Sequence, residues 1–393
     1  MADIDAVRLR RLRESMKADG LDALVCRLPE NVVYLTDYWP HHGLSVAVLP
    51  RRDGKALLFL PEVEAEYASP DWAEVTPFGW GLLKDGDLYE NYQRLLKQAH
   101  DRLGLKGAKV GVEKSFEVVG ATYRSAEPVV PAAPWAHLLD QVFADASQVD
   151  ATDLLQTTRA IKSDYELGKL RIANEIAEMG MTEFLSNLAP GLTEAQVGAR
   201  VESKIRGDGP NYKGARLMRA SAEVGAGPIG STKGTLVVPS TKRVINEGDI
   251  VMVELATVVD GYWSDLTYVS VAGKPNDRQR EVYNAVLEAQ QAAAQHLRQG
   301  ESFSSPDSAA RRVLERAGLG EFFVHITGHG VGLRYHEFIP FLMPGATGTL
   351  QAGMVSSVEP GVYIPDFGGI RIEDNVAVGV DGPIFLSTPR KPW

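Results

Sequence analysis

Cysteine is almost absent from this chain, whose 393 residues include only Cys26. One cysteine cannot form an internal disulfide, which excludes a disulfide-stabilised scaffold and is typical of a reducing compartment. Long apolar runs are missing too: no segment reaches the roughly 18 apolar residues of a membrane span, and the N-terminus lacks the apolar core of a secretory signal. These absences predict a cytoplasmic protein with no membrane partner. Cys26 itself lies in the apolar run LDALVCRL and is expected to be a packed core thiol.

Clustered positive charge is also scarce. The formal net charge is −10. The one basic run near an end, residues 8–13, lies in a segment whose apolar residues have the spacing of an amphipathic helix. Nucleic-acid backbones are bound by clustered Lys and Arg, so no nucleic-acid partner is expected. An apolar content of 44% and a charged content of 23% describe a globular chain, and 393 residues are enough for two domains.

The character of the chain changes near residue 155. Before it, strand-like runs such as DALVCRL, SVAVLP, KALLFLP and AKVGVE alternate with helical segments, which predicts an α/β domain over residues 1–154. RRDGK is expected to be a hairpin turn, and Gly104 a helix C-cap. Residues 155–393 begin with a long amphipathic helical stretch and continue with glycine-rich strands around another helix. This order predicts an α+β domain.

Two acids, Glu254 and Asp265, lie eleven residues apart in VELATVVDGYWSD. The Asp-Gly pair at residues 260–261 predicts a two-residue turn. The resulting hairpin would pair Val259 with Tyr262, Ala256 with Asp265, and Glu254 with Thr267. In that register the two carboxylates are diagonal neighbours on one face, within reach of a common ion. Taken alone, the pattern is more typical of the solvated edge of a strand pair, because exposed strands often carry acids.

Further metal-binding side chains follow. HITGHGVGLRYHE contains three of the eight histidines, His325, His329 and His336, and histidine is both a common metal ligand and a proton carrier near neutral pH. Glu359 in VSSVEPGVY and Glu373 in GGIRIEDNVAV stand in apolar strands. Four carboxylates repel one another unless a cation neutralises them. An oxygen-rich set with one imidazole suits manganese, iron, cobalt or zinc.

These segments resemble the pita-bread metallopeptidases: prolidase (Xaa-Pro dipeptidase), aminopeptidase P, methionine aminopeptidase and their relative creatinase. The family holds two metal ions with Asp, Asp, His, Glu and Glu, and the resemblance assigns these roles to Glu254, Asp265, His329, Glu359 and Glu373. It covers about residues 155–393 strongly. The preceding residues resemble, more weakly, the N-terminal domain of the prolidase, aminopeptidase P and creatinase branch, which methionine aminopeptidase usually lacks. The implied architecture is a creatinase-like α/β domain followed by a catalytic pita-bread domain.

The resemblance implies metal-dependent hydrolysis of the peptide bond before proline, with a small proline-containing peptide, above all an Xaa-Pro dipeptide, as substrate. Glu359 would carry the proton, and His336 or His325 would steady the oxyanion and contact the substrate. Arg371 would pair either with a substrate carboxylate or, structurally, with a ligand acid. Two divalent ions, with manganese expected and cobalt or zinc as alternatives, and a homodimer are also implied.

Three positions depart from the family pattern. The first ligand is Glu254 instead of Asp, the usual substrate-contacting histidine is replaced by Val237, and the Arg of the family's SDxTR segment is Tyr268. Three alternatives therefore stay open: an aminopeptidase P, a creatinase-like hydrolase of a small non-peptide C–N bond, and a non-enzymatic pita-bread binding module. The retained set of five ligand side chains favours the metallopeptidase over the last two.

Overall fold

The computed structural model describes residues 6–80, 86–115, 132–232 and 239–393. Two compact units divide these residues between positions 159 and 160. The helix Thr152–Ala160 contains both this division and the boundary predicted between residues 154 and 155. Within the described ranges, no helix is long and apolar enough to cross a bilayer. Val237, which stands where the family's substrate-contacting histidine is expected, lies outside them.

The first unit is an α/β fold built on a six-stranded mixed sheet. Its strands are β1 (Ala23–Cys26), β2 (Val46–Pro50), β3 (Ala56–Pro61), β4 (Ala73–Phe78), β5 (Lys109–Val112) and β6 (Ser147–Asp150). They lie in the order β4-β3-β2-β1-β5-β6. The helices described here are α1 (Ala6–Ala18), α2 (Pro29–Thr36), α3 (Leu88–Leu103), α4 (Ala133–Val142) and α5 (Thr152–Ala160).

Several local predictions for this unit are confirmed. The RRDGK segment joins the antiparallel strands β2 and β3. Gly104 ends α3 with a φ of 67°, a left-handed conformation that glycine adopts without steric cost. Strands β1 to β3 are buried along their whole length, as their continuous apolar runs imply for a sheet covered on both faces. Cys26 is a buried free thiol of this core.

The second unit is an α+β fold, as predicted. Its helices are α6 (Asp164–Asn187), α7 (Glu194–Asp208), α8 (Gly227–Thr232), α9 (Asp277–Ala294) and α10 (Ser305–Arg316). Its strands are β7 (Met218–Ala226), β8 (Ile250–Val259), β9 (Tyr262–Val271), β10 (Gly328–Gly330), β11 (Glu337–Leu342), β12 (Val355–Val358), β13 (Gly361–Ile364), β14 (Gly368–Arg371), β15 (Asp374–Val378) and β16 (Pro383–Phe385). Three sheets result, in the orders β7-β8-β9, β11-β10-β12-β15-β16 and β13-β14.

The hairpin of β8 and β9 has the predicted register. All three expected pairs are present, namely Val259 with Tyr262, Ala256 with Asp265, and Glu254 with Thr267. Asp260 and Gly261 form the turn with φ values of 49° and 91°. Two consecutive positive φ angles match the right-handed twist of the strands, which is why Asp-Gly suits this position.

Two segments predicted as single strands are each divided in two. β12 pairs with β15 in the five-stranded sheet, whereas β13 pairs with β14 in a separate two-stranded ribbon. Glu359 and Pro360 lie between β12 and β13, and Glu373 lies between β14 and β15. Proline has no N–H for a strand ladder, which favours the interruption at residue 360. Both glutamates therefore stand where a pair of strands passes from one sheet to the other.

The helical stretch expected from about residue 154 is also divided, into α5 and α6. Ser163 precedes α6 with extended backbone, and its Oγ accepts the Glu166 N–H at 3.2 Å. The Glu166 carboxylate accepts the Ser163 N–H at 3.1 Å, which completes a capping box. Because the N-cap residue is non-helical, the box separates the two helices.

We expect Ser163→Ala to lower the free energy of unfolding by about 1 kcal/mol, because it leaves an N-terminal amide of α6 without its acceptor. Ser304 is a suitable control, since it precedes α10 without a side-chain capping bond. Ser304→Ala should change the stability by less than about 0.5 kcal/mol. Urea unfolding curves of both variants measure the difference, and equal losses would contradict a specific role for the capping box.

Candidate metal centre

The hairpin places two carboxylates on one face. Asp265 is 1% exposed, and Glu254 retains 14% side-chain exposure. Thr267 is directly opposite Glu254 in the hairpin, and its hydroxyl hydrogen-bonds to Glu254 Oε2 and also lies 2.6 Å from Glu373 Oε2. The Glu373 N–H donates to the Thr267 carbonyl at 3.1 Å. These contacts between Thr267 and Glu373 therefore join the hairpin to the connection between β14 and β15.

His329 enters the same space from β10. Its Nε2 lies 3.4 Å from Asp265 Oδ2 and 3.3 Å from Glu359 Oε1, while its Nδ1 lies 3.0 Å from the Gly330 carbonyl. The carbonyl contact assigns a proton to Nδ1 and leaves Nε2 as the atom that faces the acids. The flanking glycine is required sterically: a Cβ at Gly328 would lie 2.0 Å from the Ser357 carbonyl oxygen.

The five predicted ligand side chains converge. Donor atoms fall into overlapping groups within 4.8 Å of one another: Glu254, Asp265 and Glu373 form one, and His329, Glu359 and Glu373 form another. A third group joins Asp265 and His329 to His336. Glu373 Oε1 is buried and has no hydrogen-bond partner among the described residues. A buried carboxylate oxygen without a donor is costly unless a cation satisfies it, so the donor set fits divalent metal ions.

The electrostatics of the centre follow from this crowding. Burial raises the pKa of Glu359 to about 7, although His329 and Arg371 act in the opposite direction. Burial, followed by the charges of Asp265, Glu359 and Glu254, raises the pKa of Glu373 well above its usual value. Burial lowers the pKa of His329, but the neighbouring Asp265 and Glu359 outweigh it and the net shift is upward. All three upward pKa shifts mean that the buried carboxylates are costly in their charged form unless a positive charge lies beside them.

Arg371 supplies part of that positive charge. Its guanidinium forms an ion pair with Glu254 Oε2 and lies 2.9 Å from both the Thr267 and Tyr363 hydroxyls. Of the two expected partners, a substrate carboxylate or a ligand acid, the structure contains the second. A contact between Arg371 and a substrate stays a prediction.

His325 and His336 occupy different environments. His325 has both ring nitrogens engaged, with Nδ1 2.7 Å from the Ile326 carbonyl and Nε2 2.9 Å from the Tyr363 hydroxyl. His336 retains 23% side-chain exposure, and its Nε2 lies 3.7 Å from Asp265 Oδ2. Of these two histidines, His336 is therefore the one whose contacts include a predicted ligand carboxylate.

Tyr335 is a site residue that the sequence analysis did not single out. Its hydroxyl lies 2.7 Å from Glu254 Oε1 and 2.6 Å from Asp265 Oδ1. It stands next to His336 in the segment HITGHGVGLRYHE, in which the predicted site residues are the three histidines. Its position beside a predicted catalytic histidine is the signal that the sequence offers for it.

Comparisons with known proteins match both units. The sequence model of metallopeptidase family M24 matches residues 168–379, and that of the creatinase/prolidase N-terminal domain matches residues 8–161. The Xaa-Pro dipeptidase of Pyrococcus furiosus is 32% identical over 377 residues, which cover 95% of this chain and 96% of that protein.

Solved structures agree. The prolidase from Pyrococcus horikoshii has a TM-score of 0.75 and 27% identity, with coverage of 98% of this chain and 99% of that one. The X-Pro aminopeptidase from Thermotoga maritima has a TM-score of 0.78 and 26% identity, with coverage of 97% and 99%. The pita-bread α+β fold with a creatinase-like N-terminal domain, expected from the sequence, is thereby confirmed.

We expect His325 to make stability depend on pH. Burial, and then the charge of Arg371, lower the pKa of His325 to about 4. The unfolded chain binds this proton near pH 6.5, so folding is penalised progressively as the pH falls from about 6.5 to about 4. His325→Gln keeps an acceptor for Tyr363 but cannot be protonated. The wild type should therefore lose up to about 3 kcal/mol relative to the variant across this window. Denaturant unfolding of both proteins at several pH values measures this, and parallel curves would contradict it.

Proposed function

This chain belongs to metallopeptidase family M24, and we propose that it is a metal-dependent peptidase that hydrolyses the bond before proline, above all in Xaa-Pro dipeptides. The observation that carries the proposal is the convergence of four carboxylates and the His329 imidazole at one centre. The similarity to an Xaa-Pro dipeptidase over 95% of the chain supports the choice of substrate.

Two divalent ions fit this donor set, and the residues that would hold them are Glu254, Asp265, His329, Glu359 and Glu373. We propose manganese, with cobalt or zinc as alternatives, because oxygen ligands dominate and one imidazole is present. When bound, such ions polarise a carbonyl group and lower the pKa of water.

The protein's own groups would do the remaining work. The Glu359 carboxylate would accept a proton from the attacking water and transfer it to the leaving nitrogen. Ser357 donates a hydrogen bond to Glu359 Oε1 at 2.9 Å, which fixes the orientation of that carboxylate. We assign stabilisation of the oxyanion to the partly exposed His336. His325, which contacts Tyr363 through Nε2, would position the Tyr363 hydroxyl rather than reach the substrate itself.

Proline sets the substrate apart chemically. An Xaa-Pro bond is a tertiary amide with no N–H and has an appreciable cis population, so it suits a dedicated site. An aminopeptidase acting on longer Xaa-Pro peptides is the second candidate, favoured by the similarity to the Thermotoga enzyme. A creatinase-like reaction is less consistent with the retained ligand side chains. We also propose that the protein is a homodimer, on the family resemblance, and that it is cytoplasmic, on its single cysteine.

A hydrolysis screen tests the proposal directly. Metal-stripped and manganese-restored protein would each be offered Xaa-Pro dipeptides and matching Xaa-Pro-Xaa tripeptides. We expect cleavage of the dipeptides alone and only after manganese is restored. Cleavage of tripeptides would select the aminopeptidase instead, whereas inactivity on both, with no metal retained, would contradict the peptidase.

We expect Glu359→Gln to lower kcat on an Xaa-Pro dipeptide by about 10²- to 10⁴-fold, because a carboxamide cannot accept the proton. The amide oxygen remains a possible metal ligand, so bound manganese should be counted in the same preparation. Glu288→Gln is a matched control, since Glu288 is 67% exposed and pairs with Arg316 on the surface. A loss of kcat smaller than about tenfold would exclude Glu359 as the general base.

A further inference from the structure

Tyr335 is buried at the centre with its ring orientation determined by packing. It is 7% exposed. Its ring stacks on His336 with a centroid distance of 4.6 Å and an interplanar angle of 19°. Trp263 contacts it edge-on at 5.5 Å. Because two aromatic side chains pack against the ring, the hydroxyl has little freedom to move away from the acids that it contacts.

The hydroxyl contacts one oxygen of each hairpin carboxylate. It lies 2.7 Å from Glu254 Oε1 and 2.6 Å from Asp265 Oδ1. The other oxygens have different partners: Asp265 Oδ2 faces the imidazole of His329 at 3.4 Å, and Glu254 Oε2 is bonded by Thr267 and Arg371. Tyr335 therefore contacts both acids at once through one hydroxyl.

These distances distinguish a hydrogen bond from direct metal ligation. Oxygen ligands about 2.1 Å from an octahedral ion are about 3 Å from their nearest ligand neighbours. Hydrogen bonds from a hydroxyl to a carboxylate are about 2.5–2.7 Å long. The Tyr335 contacts fall in the second range, so the phenol is a hydrogen-bond partner of both acids, and its single proton is shared between the two carboxylates.

We propose that Tyr335 is a positioning residue of the metal centre, whose hydroxyl holds Glu254 and Asp265 in one orientation for the ion that these acids and Glu373 would share. The inference rests on the proposed function, in that it requires a metal ion at this centre. Glu254 has one more rotatable bond than the Asp expected at its position, so more side-chain entropy is lost when its carboxylate is fixed. Because the Tyr335 hydroxyl already fixes the Glu254 carboxylate before the ion binds, metal binding does not have to bear this loss of side-chain entropy.

Tyr335→Phe keeps the ring and removes the hydroxyl. Isothermal titration of metal-stripped protein with Mn²⁺ would measure the dissociation constants of the wild type and the variant. We expect the variant to bind Mn²⁺ about 10- to 100-fold more weakly, as is usual when a partner of a ligand is lost. Tyr92→Phe is the matched control: it removes a hydroxyl that donates to the Leu44 carbonyl at 2.7 Å in the first unit. Its Mn²⁺ affinity should equal that of the wild type.

A double-mutant cycle identifies the acid through which the hydroxyl acts. Glu254→Asp shortens the side chain away from the phenol, so Tyr335→Phe should weaken Mn²⁺ binding less in that background than in the wild type. Unchanged affinity in Tyr335→Phe would reduce Tyr335 to a packing residue, and tighter binding would make its hydroxyl a competitor of the ion. Either result, or equal losses in both backgrounds, overturns the inference while leaving the peptidase intact. A wild type that binds no Mn²⁺ overturns both.

Thermal unfolding of the metal-stripped proteins separates affinity from stability. Tyr335→Phe and Tyr92→Phe each remove one hydroxyl group and keep the ring, so we expect both to remain folded. A loss of Mn²⁺ affinity in a folded Tyr335→Phe, absent from Tyr92→Phe, is the signature of positioning.

Discussion

Repulsion among four largely buried carboxylates is the constraint on which the second unit depends. Glu254, Asp265, Glu359 and Glu373 share a space with the imidazole of His329, and the ring of His336 lies at its edge. Like charges at such distances are unfavourable in a medium of low polarity. Burial in the first place, and the neighbouring carboxylates after it, raise the pKa values of Glu359 and Glu373. The guanidinium of Arg371 offsets only part of it. A divalent cation is the partner that satisfies the remaining charge, including that of Glu373 Oε1, which has no hydrogen-bond donor in the described part of the chain.

The strand topology is what makes such crowding possible. The hairpin contributes two acids on one face, and the passage of strands between two sheets contributes two more at Glu359 and Glu373. Close backbone approach at Gly328 then brings the His329 imidazole against them. Glu254, Asp265 and His329 stand on strands, and Glu359 and Glu373 stand at the short joints between strands, so paired backbone flanks each donor. Rigid placement is what a metal centre requires, because displaced ligands lose affinity steeply.

Much of this arrangement could be predicted from local patterns. The Asp-Gly turn alone determines the register that sets Glu254 beside Thr267, and Gly104 and the strand alternation are equally local signals. Other features depend on partners far away in the chain. The division of two expected strands at Glu359 and Glu373 arises from pairing between β12 and β15 and between β13 and β14. The Arg371–Glu254 ion pair and the contact of Tyr335 with Glu254 also join residues that are far apart in the chain. The local sequence around each residue therefore does not predict its partner.

Diffraction from crystals of the manganese-loaded protein tests the central claim most directly. An anomalous difference map locates bound manganese independently of any activity. We predict manganese peaks enclosed by Glu254, Asp265, His329, Glu359 and Glu373, with Glu373 Oε1 among the ligands. A map without a peak at this centre, or with manganese only at surface acids, would contradict it, because the buried carboxylates would then be accommodated without the cation they are argued to require.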